Sequence, residues 1–279
     1  MRLVERIRDR RLLWLDHLGY SASLPGGGYA WCDASASIAQ LRRAQALLRA
    51  DVVELQVAPI VASWLAAQAG LREALAATPR PAHAPLRELL RPPDLRRHLA
   101  DIAVGLRAAC RDELLALVLP SPRDWVAFAL AQAGGEPGLA DDEDAVDAGA
   151  ACMAEFLRGF AGSGIDVLCL RETRCWFDDD AGLWAELLQP LANVAAHYGW
   201  DWGAQLPRGF TVPGTLGAQF VIVDAPCAFG GAQGIEVEPG FWEAGPRPAE
   251  LPGSFDFATV PVAARPEDVL ASLQRSRNA

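Results

Sequence analysis

Residues 113–119 (ELLALVL) and 165–170 (IDVLCL) are apolar almost without interruption. Successive side chains of a strand point to opposite faces, so a strand with one face in water alternates apolar and polar residues. Unbroken apolar strands belong to a parallel sheet covered on both faces. Parallel neighbours need a crossover between them, usually a helix, so strand and helix should alternate along the chain.

The rest of the sequence fits that pattern. Apolar spacing predicts a helix over 3–10, a strand over 11–16, and a helix over 35–50 after a Gly-rich loop at 19–35. A β-branched strand at 51–57 and a helix at 59–70 follow. Residues 76–95 hold five Pro and read as an irregular excursion with a short helix in it. Helices at 93–111, 123–134 and 144–161 frame the two apolar strands. A helix over 183–198 leads to strands at 201–206, 220–224, 236–243 and 255–262, with a closing helix at 265–276. About eight strands mostly separated by helices predict an α/β chain forming one closed (β/α)8 TIM barrel over residues 1–279, with a helix before its first strand. No G-x-G-x-x-G follows the first strand, so the dinucleotide-binding alternative has no support.

The charges narrow the chemistry. All 25 basic residues are Arg, which removes aldimine and P-loop lysine mechanisms. A net charge of −10 repels phosphate backbones and argues against a nucleic-acid partner, while leaving room for a local Arg-lined pocket for a small anion. No apolar run is long enough to span a bilayer, and the amphipathic first residues lack a signal region, so a cytoplasmic protein with no membrane partner is expected. The six Cys form no CxxC pair and read as free thiols. Oligomeric state is not readable.

Residues 113–173 carry a more specific pattern. A strand enters a helix containing Trp125, an acidic loop follows, a long helix ends in Gly164-Ile165-Asp166, and the next strand ends in Arg171-Glu172-Thr173. This resembles the middle of the uroporphyrinogen decarboxylase and cobalamin-independent methionine synthase superfamily of barrels. The resemblance implies a barrel whose fourth strand delivers polar residues to a pocket. The Arg-rich N-terminal motif of the decarboxylases is replaced by Gly26–Tyr29, which argues against a porphyrinogen substrate. The His-x-Cys of the zinc-dependent methyltransferases is absent.

Function in such barrels sits at the C-terminal ends of the strands. Those ends carry Asp16 and His17, Glu54 and Gln56, Ser121 and Arg123, Arg171 and Glu172, Gln205, Asp224 and Glu243. Asp16 and His17 are adjacent and should face opposite ways: Asp16 shares the side of Trp14, and His17 that of Leu13 and Leu15. Either Asp16, His17, Glu54 or Glu172 would serve as the acid/base group. Arg171 or Arg123 would hold a substrate anion, although Arg171 could equally pair with Glu172 to close the barrel top. Gln205, Asp224 and Trp176 complete the expected binding residues, Trp176 as one of several Trp near loops that would wall an apolar pocket. Cys227 is the better placed of the thiols for reactivity.

The expected function is a cofactor-independent acid/base lyase, resembling the decarboxylase branch, on a small anionic and partly apolar molecule. One alternative is a methyltransferase holding zinc through a divergent set drawn from His17, Glu54, Glu172, Asp224 and Cys227. The other is a non-catalytic barrel subunit, which a pocket too small for a substrate would favour.

Overall fold

The computed structural model describes residues 2–78, 80–174, 181–210, 212, 216–243, 245 and 251–278. Helix α1 (Leu3–Asp9) precedes eight strands: β1 (Leu13–Asp16), β2 (Val52–Gln56), β3 (Leu114–Pro120), β4 (Val167–Arg171), β5 (Asp201–Gln205), β6 (Phe220–Val223), β7 (Ala232–Glu236) and β8 (Ser254–Thr259). They pair in parallel in chain order, and β8 returns to β1, with Leu13 opposite Asp256 and Asp16 opposite Thr259, to close a barrel.

Helices surround it. α2 (Leu18–Ser23) and α3 (Ala34–Leu48) join β1 to β2. α4 (Val57–Ala67), α5 (Ala69–Ala76), α6 (Ala84–Leu90) and α7 (Pro93–Ala109) join β2 to β3. α8 (Pro122–Gln132) and α9 (Glu143–Leu157) join β3 to β4, α10 (Ala181–Leu187) and α11 (Gln189–Tyr198) join β4 to β5, and α12 (Pro266–Asn278) follows β8. Among the described residues no α-helix stands between β5 and β6, β6 and β7, or β7 and β8. The return from β6 to β7 uses only residues 224–231. Eight extended residues reach roughly 28 Å, enough to run back along a short strand but not to wind a helix as well.

The apolar runs work as the two-faced burial argument requires. On β3, Leu114, Ala116 and Val118 point into the barrel with Trp14, Val52, Val167, Cys169, Phe220, Ile222, Phe255 and Phe257. The alternate residues Leu115, Leu117 and Leu119 pack outward under α4, α7, α8 and α9. Helix α1 plugs the N-terminal end, burying Leu3 and Ile7 on the same interior cluster. The fully buried Asp201 carboxylate holds it there, accepting from the Val4 amide at 3.2 Å and Arg2 Nε at 3.0 Å.

The Gly-Ile-Asp turn is a brace at that same end. Gly164 has φ +80° and lies under the Arg107 side chain. Asp166 accepts the Leu115 amide of β3 at 2.9 Å and faces Arg107 Nη1 at 3.4 Å.

Two elements differ from the sequence reading, and one expected only in outline takes a definite form. The helix expected over 183–198 is two helices that meet at Leu188, with Pro190 in the first turn of α11. The short helix expected inside the excursion at 76–95 is α6, whose apolar face is fully buried. The seventh strand is not 236–243. It is Ala232–Glu236, and Pro239–Glu243 forms a 3₁₀ turn, so Glu243 is not a strand end.

The barrel interior is filled by aromatic rings set against glycines. Trp14 lies 5.7 to 6.3 Å from Phe220, Phe255 and Phe257. A Cβ on Gly203 of β5 would stand 2.2 Å from the Phe220 carbonyl oxygen and 2.6 Å from its ring. The first contact is with backbone of the neighbouring strand and cannot rotate away. Gly203→Ala is expected to cost roughly 3 kcal/mol, the upper part of the range for overpacking, measurable by urea denaturation.

Candidate active site at the C-terminal mouth of the barrel

Because Trp14 faces inward, Asp16 follows it, and His17 goes with Leu13 and Leu15 to the outside. On β2 the same period turns Glu54 and Gln56 inward, and on β4 it turns Arg171 inward above Cys169. Three strands thus deliver Asp16, Glu54, Gln56 and Arg171 to one place at the C-terminal end of the interior.

They form a closed network. Arg171 Nη2 donates to both Glu54 oxygens at 2.9 Å, and its Nη1 lies 3.1 Å from Asp16 Oδ2. Gln56 Nε2 donates to Asp16 Oδ1 at 2.8 Å and to Glu54 Oε2 at 2.6 Å. Trp14 Nε1 donates to Glu54 Oε1 at 2.7 Å. Glu54 is 5% exposed, whereas the Asp16 and Arg171 side chains keep about a fifth of their surface in solvent.

Burial is the largest influence on Glu54 and raises its pKa. Arg171 opposes it, Asp16 reinforces it, and the donors Gln56 and Trp14 oppose it, leaving Glu54 at about 7. Burial also works against the charge of Arg171, but Glu54 and Asp16 outweigh it and its pKa ends above the ordinary value. The cluster therefore holds a carboxyl proton that exchanges near neutral pH, a guanidinium that stays charged, and a second, more accessible carboxylate.

Two interior polar atoms beside it have no hydrogen-bond partner among the described residues: Arg171 Nε and Gln205 Oε1. Arg171 and Gln205 lie opposite each other across β4 and β5. A cavity of about 150 Å³ opens at the edge of the network, lined by Gln56, Arg171 and Thr173 and by the apolar Ala58, Pro59, Val118, Leu119 and Pro120.

The other expected site residues lie elsewhere. His17 is buried outside the barrel wall, its Nδ1 2.8 Å from Ser21 Oγ, and burial lowers its pKa. Glu172 follows Arg171 by one residue and so points outward. It accepts from Arg123 Nη2 at 3.0 Å, in a buried ion pair between β4 and α8, and Arg123 also donates to the Arg174 carbonyl at 2.6 Å. Arg123 and Glu172 thus close the barrel top with each other, on the side of β4 opposite Arg171. Asp224 accepts the Gly209 amide at 3.1 Å and fixes the loop after β5. Trp176 lies outside the described residues. Burial raises the Cys227 thiol pKa, which opposes thiolate reactivity, and burial pushes Cys169 to about 12.

Of the residues from which a zinc set could be drawn, His17, Glu54 and Glu172 point in different directions. Among the described residues no three His, Cys, Asp or Glu side chains group as a metal site needs. No helix among them is long and apolar enough to cross a membrane.

Sequence reasoning named Gln56 as a strand end but gave it no role, and it missed Glu236 as the end of the seventh strand. Gln56 was visible as a strand end two residues beyond Glu54, hence on the same face. Glu236 ends β7 on the side of Ala232 and Gly234, with Arg208 Nε 3.5 Å from its carboxylate; it was hidden by the misplaced seventh strand. No protein-family model matches the chain, and no curated protein is significantly similar to it.

Proposed function

We propose that this barrel is an acid/base lyase of the decarboxylase type acting on a small carboxylate, as the resemblance to the uroporphyrinogen decarboxylase superfamily implies. The observation that carries the reading is Glu54, a buried carboxyl with a pKa of about 7, held against Arg171 at the mouth of a parallel barrel. In this reading Arg171 takes the substrate carboxylate in competition with Asp16, its more exposed partner. The apolar wall of Ala58, Pro59, Val118 and Leu119 covers the organic body. The C–C bond to the carboxylate breaks, CO₂ leaves, and the electron pair stays on carbon. Protonated Glu54 then donates its proton to that carbon and is reprotonated from solvent. A cavity near 150 Å³ suits a molecule about the size of benzene.

The test uses malonate, acetoacetate and pyrrole-2-carboxylate in D₂O, following CO₂ release and deuterium at the product carbon. At least one acid is expected to turn over, with a rate lower by roughly 10²–10⁴ in Glu54→Gln. Turnover unchanged in that variant would remove Glu54 from the chemistry.

The cavity size also favours a second reading. It lies below the roughly 300–1,000 Å³ of most ligand pockets, and Arg171 is already held by two carboxylates. A non-catalytic barrel would release CO₂ and incorporate deuterium no faster than the protein-free solution with any of the three acids.

A further inference from the structure

The opposite end of the barrel carries a different chemistry. A cleft of about 500 Å³ there is lined by Arg10, Arg11, Arg49 and Arg277 together with Leu13, Asp51 and Ser276. These come from the segment before β1, the turn between α3 and β2, and the last turn of α12. The chain has a net charge of −10, yet this cleft is locally cationic.

Two of the four guanidinia are neutralised. Arg10 Nη2 is 2.6 Å from Asp51 Oδ1, and Arg11 Nη2 is 2.5 Å from Asp256 Oδ1. The other Asp51 oxygen is also used, accepting the Leu13 amide at 2.7 Å. Arg277 has no carboxylate partner among the described residues and donates to the Leu48 and Arg49 carbonyls. Arg49 has no side-chain partner among them at all. Burial, and then the like charge of Arg49, hold the Arg277 pKa below its ordinary value, against the nearby Asp51 carboxylate, which raises it.

The backbone adds a second observation. Arg49 ends α3 in the left-handed region, with φ +50° and ψ +50°, and is the one non-glycine residue with positive φ among those described. Glycine would occupy that position with about 1 kcal/mol less strain. A long cationic side chain is therefore held, at a conformational cost, beside a second cation whose hydrogen bonds go to backbone carbonyls.

We infer that this cleft binds the phosphoryl dianion of a small molecule, with Arg49 and Arg277 as its principal donors. Guanidinium forks match the paired oxygens of a phosphoryl group, and each adds charge-assisted hydrogen bonds. The acidic remainder of the surface disfavours a polyanionic polymer and leaves a compact anion as the fitting occupant. The cleft lies at the far end of the barrel from Glu54, so this site stands whether or not the proposed lyase reading does.

The experiment measures thermal unfolding of the full chain with sodium orthophosphate, pyrophosphate or ADP. Sodium chloride matches ionic strength throughout. Pyrophosphate at about a hundred times its Kd is expected to raise Tm by roughly 5 °C. Arg49→Ala keeps the fold, since it removes an exposed side chain without a partner, and is expected to abolish most of that rise. Arg97→Ala, a solvent-exposed change on α7, retains it. ADP matching pyrophosphate would mean that the phosphates suffice, and a larger shift with ADP would identify a nucleotide as the occupant. No shift beyond the chloride control, or an undiminished shift in Arg49→Ala, overturns the proposal.

Discussion

Arg171→Met is expected to destabilise the chain by roughly 3–5 kcal/mol at pH 8, and by clearly less at pH 5. The size follows from what is left behind. Arg171 is the cation facing both Glu54 and Asp16, and Glu54 is almost completely buried. Methionine fills much of the volume but leaves two carboxyls with only Gln56 and Trp14 as donors from this network. A charge stripped of its partner inside a protein costs far more than the pair contributed. The folded variant responds by keeping Glu54 protonated, which is easy at pH 5 and increasingly unfavourable as the solution becomes alkaline. Urea denaturation at the two pH values measures both the loss and its growth. A loss below about 1 kcal/mol at pH 8 would mean that water replaces the guanidinium and that the cluster is open rather than enclosed.

How much of this was readable beforehand depends on where the side chains of each strand go. β3 and β4 were legible because both of their faces are buried by apolar neighbours. β7 was not. Its interior positions are Ala232 and Gly234, and a Cβ on Gly234 would meet the Phe255 ring at 2.6 Å and Ile222 at 2.9 Å. The volume that should have marked the strand as apolar is supplied by its neighbours, so AQGIE shows only Ile235. The segment mistaken for it contains Val237, Phe241 and Trp242, which pack outside the barrel with Val269 and Leu273 of α12. Trp242 Nε1 also donates to the Thr259 carbonyl at 3.0 Å, tying that turn to β8.

The site has the same logic. Asp16, Glu54 and Arg171 were visible as polar residues ending apolar strands, but their convergence depends on which way Trp14 points. Once it points inward, period two sends Asp16 in and His17 out. The same rule separates Arg171 from Glu172, which sequence reasoning had kept together as one candidate pair. Glu172 goes instead to Arg123, a partner 49 residues away that no local pattern announces.

The proton on Glu54 gives the last prediction, in which stability and rate must turn at the same pH. The pKa of Glu54 is about 7 in the folded chain against an ordinary 4.5, so between those values the native state binds more protons than the unfolded one. Stability therefore falls as pH rises from about 4.5 to about 7, by up to about 3 kcal/mol from this group, and is flat in it above that. His17 acts in the opposite sense. Its folded pKa is lowered, so its contribution grows as pH rises towards 6.5, and the net slope of the wild type mixes the two. Glu54→Gln separates them, because an amide cannot titrate and His17 is unchanged. The variant pays a constant cost of about 1 kcal/mol for the hydrogen bond with Gln56 that its amide cannot accept in the same geometry. The descending component between pH 5 and 7 should vanish, so that stability rises with pH where the wild type falls or stays level. If Glu54 is also the proton donor, kcat/KM of the wild type declines above about pH 7 as that proton is lost, and the residual activity of Glu54→Gln shows no such decline. A stability slope that survives in Glu54→Gln would place the titrating group elsewhere. A slope that vanishes without any change in the rate profile would leave Glu54 as the buried proton of the network but not of the reaction.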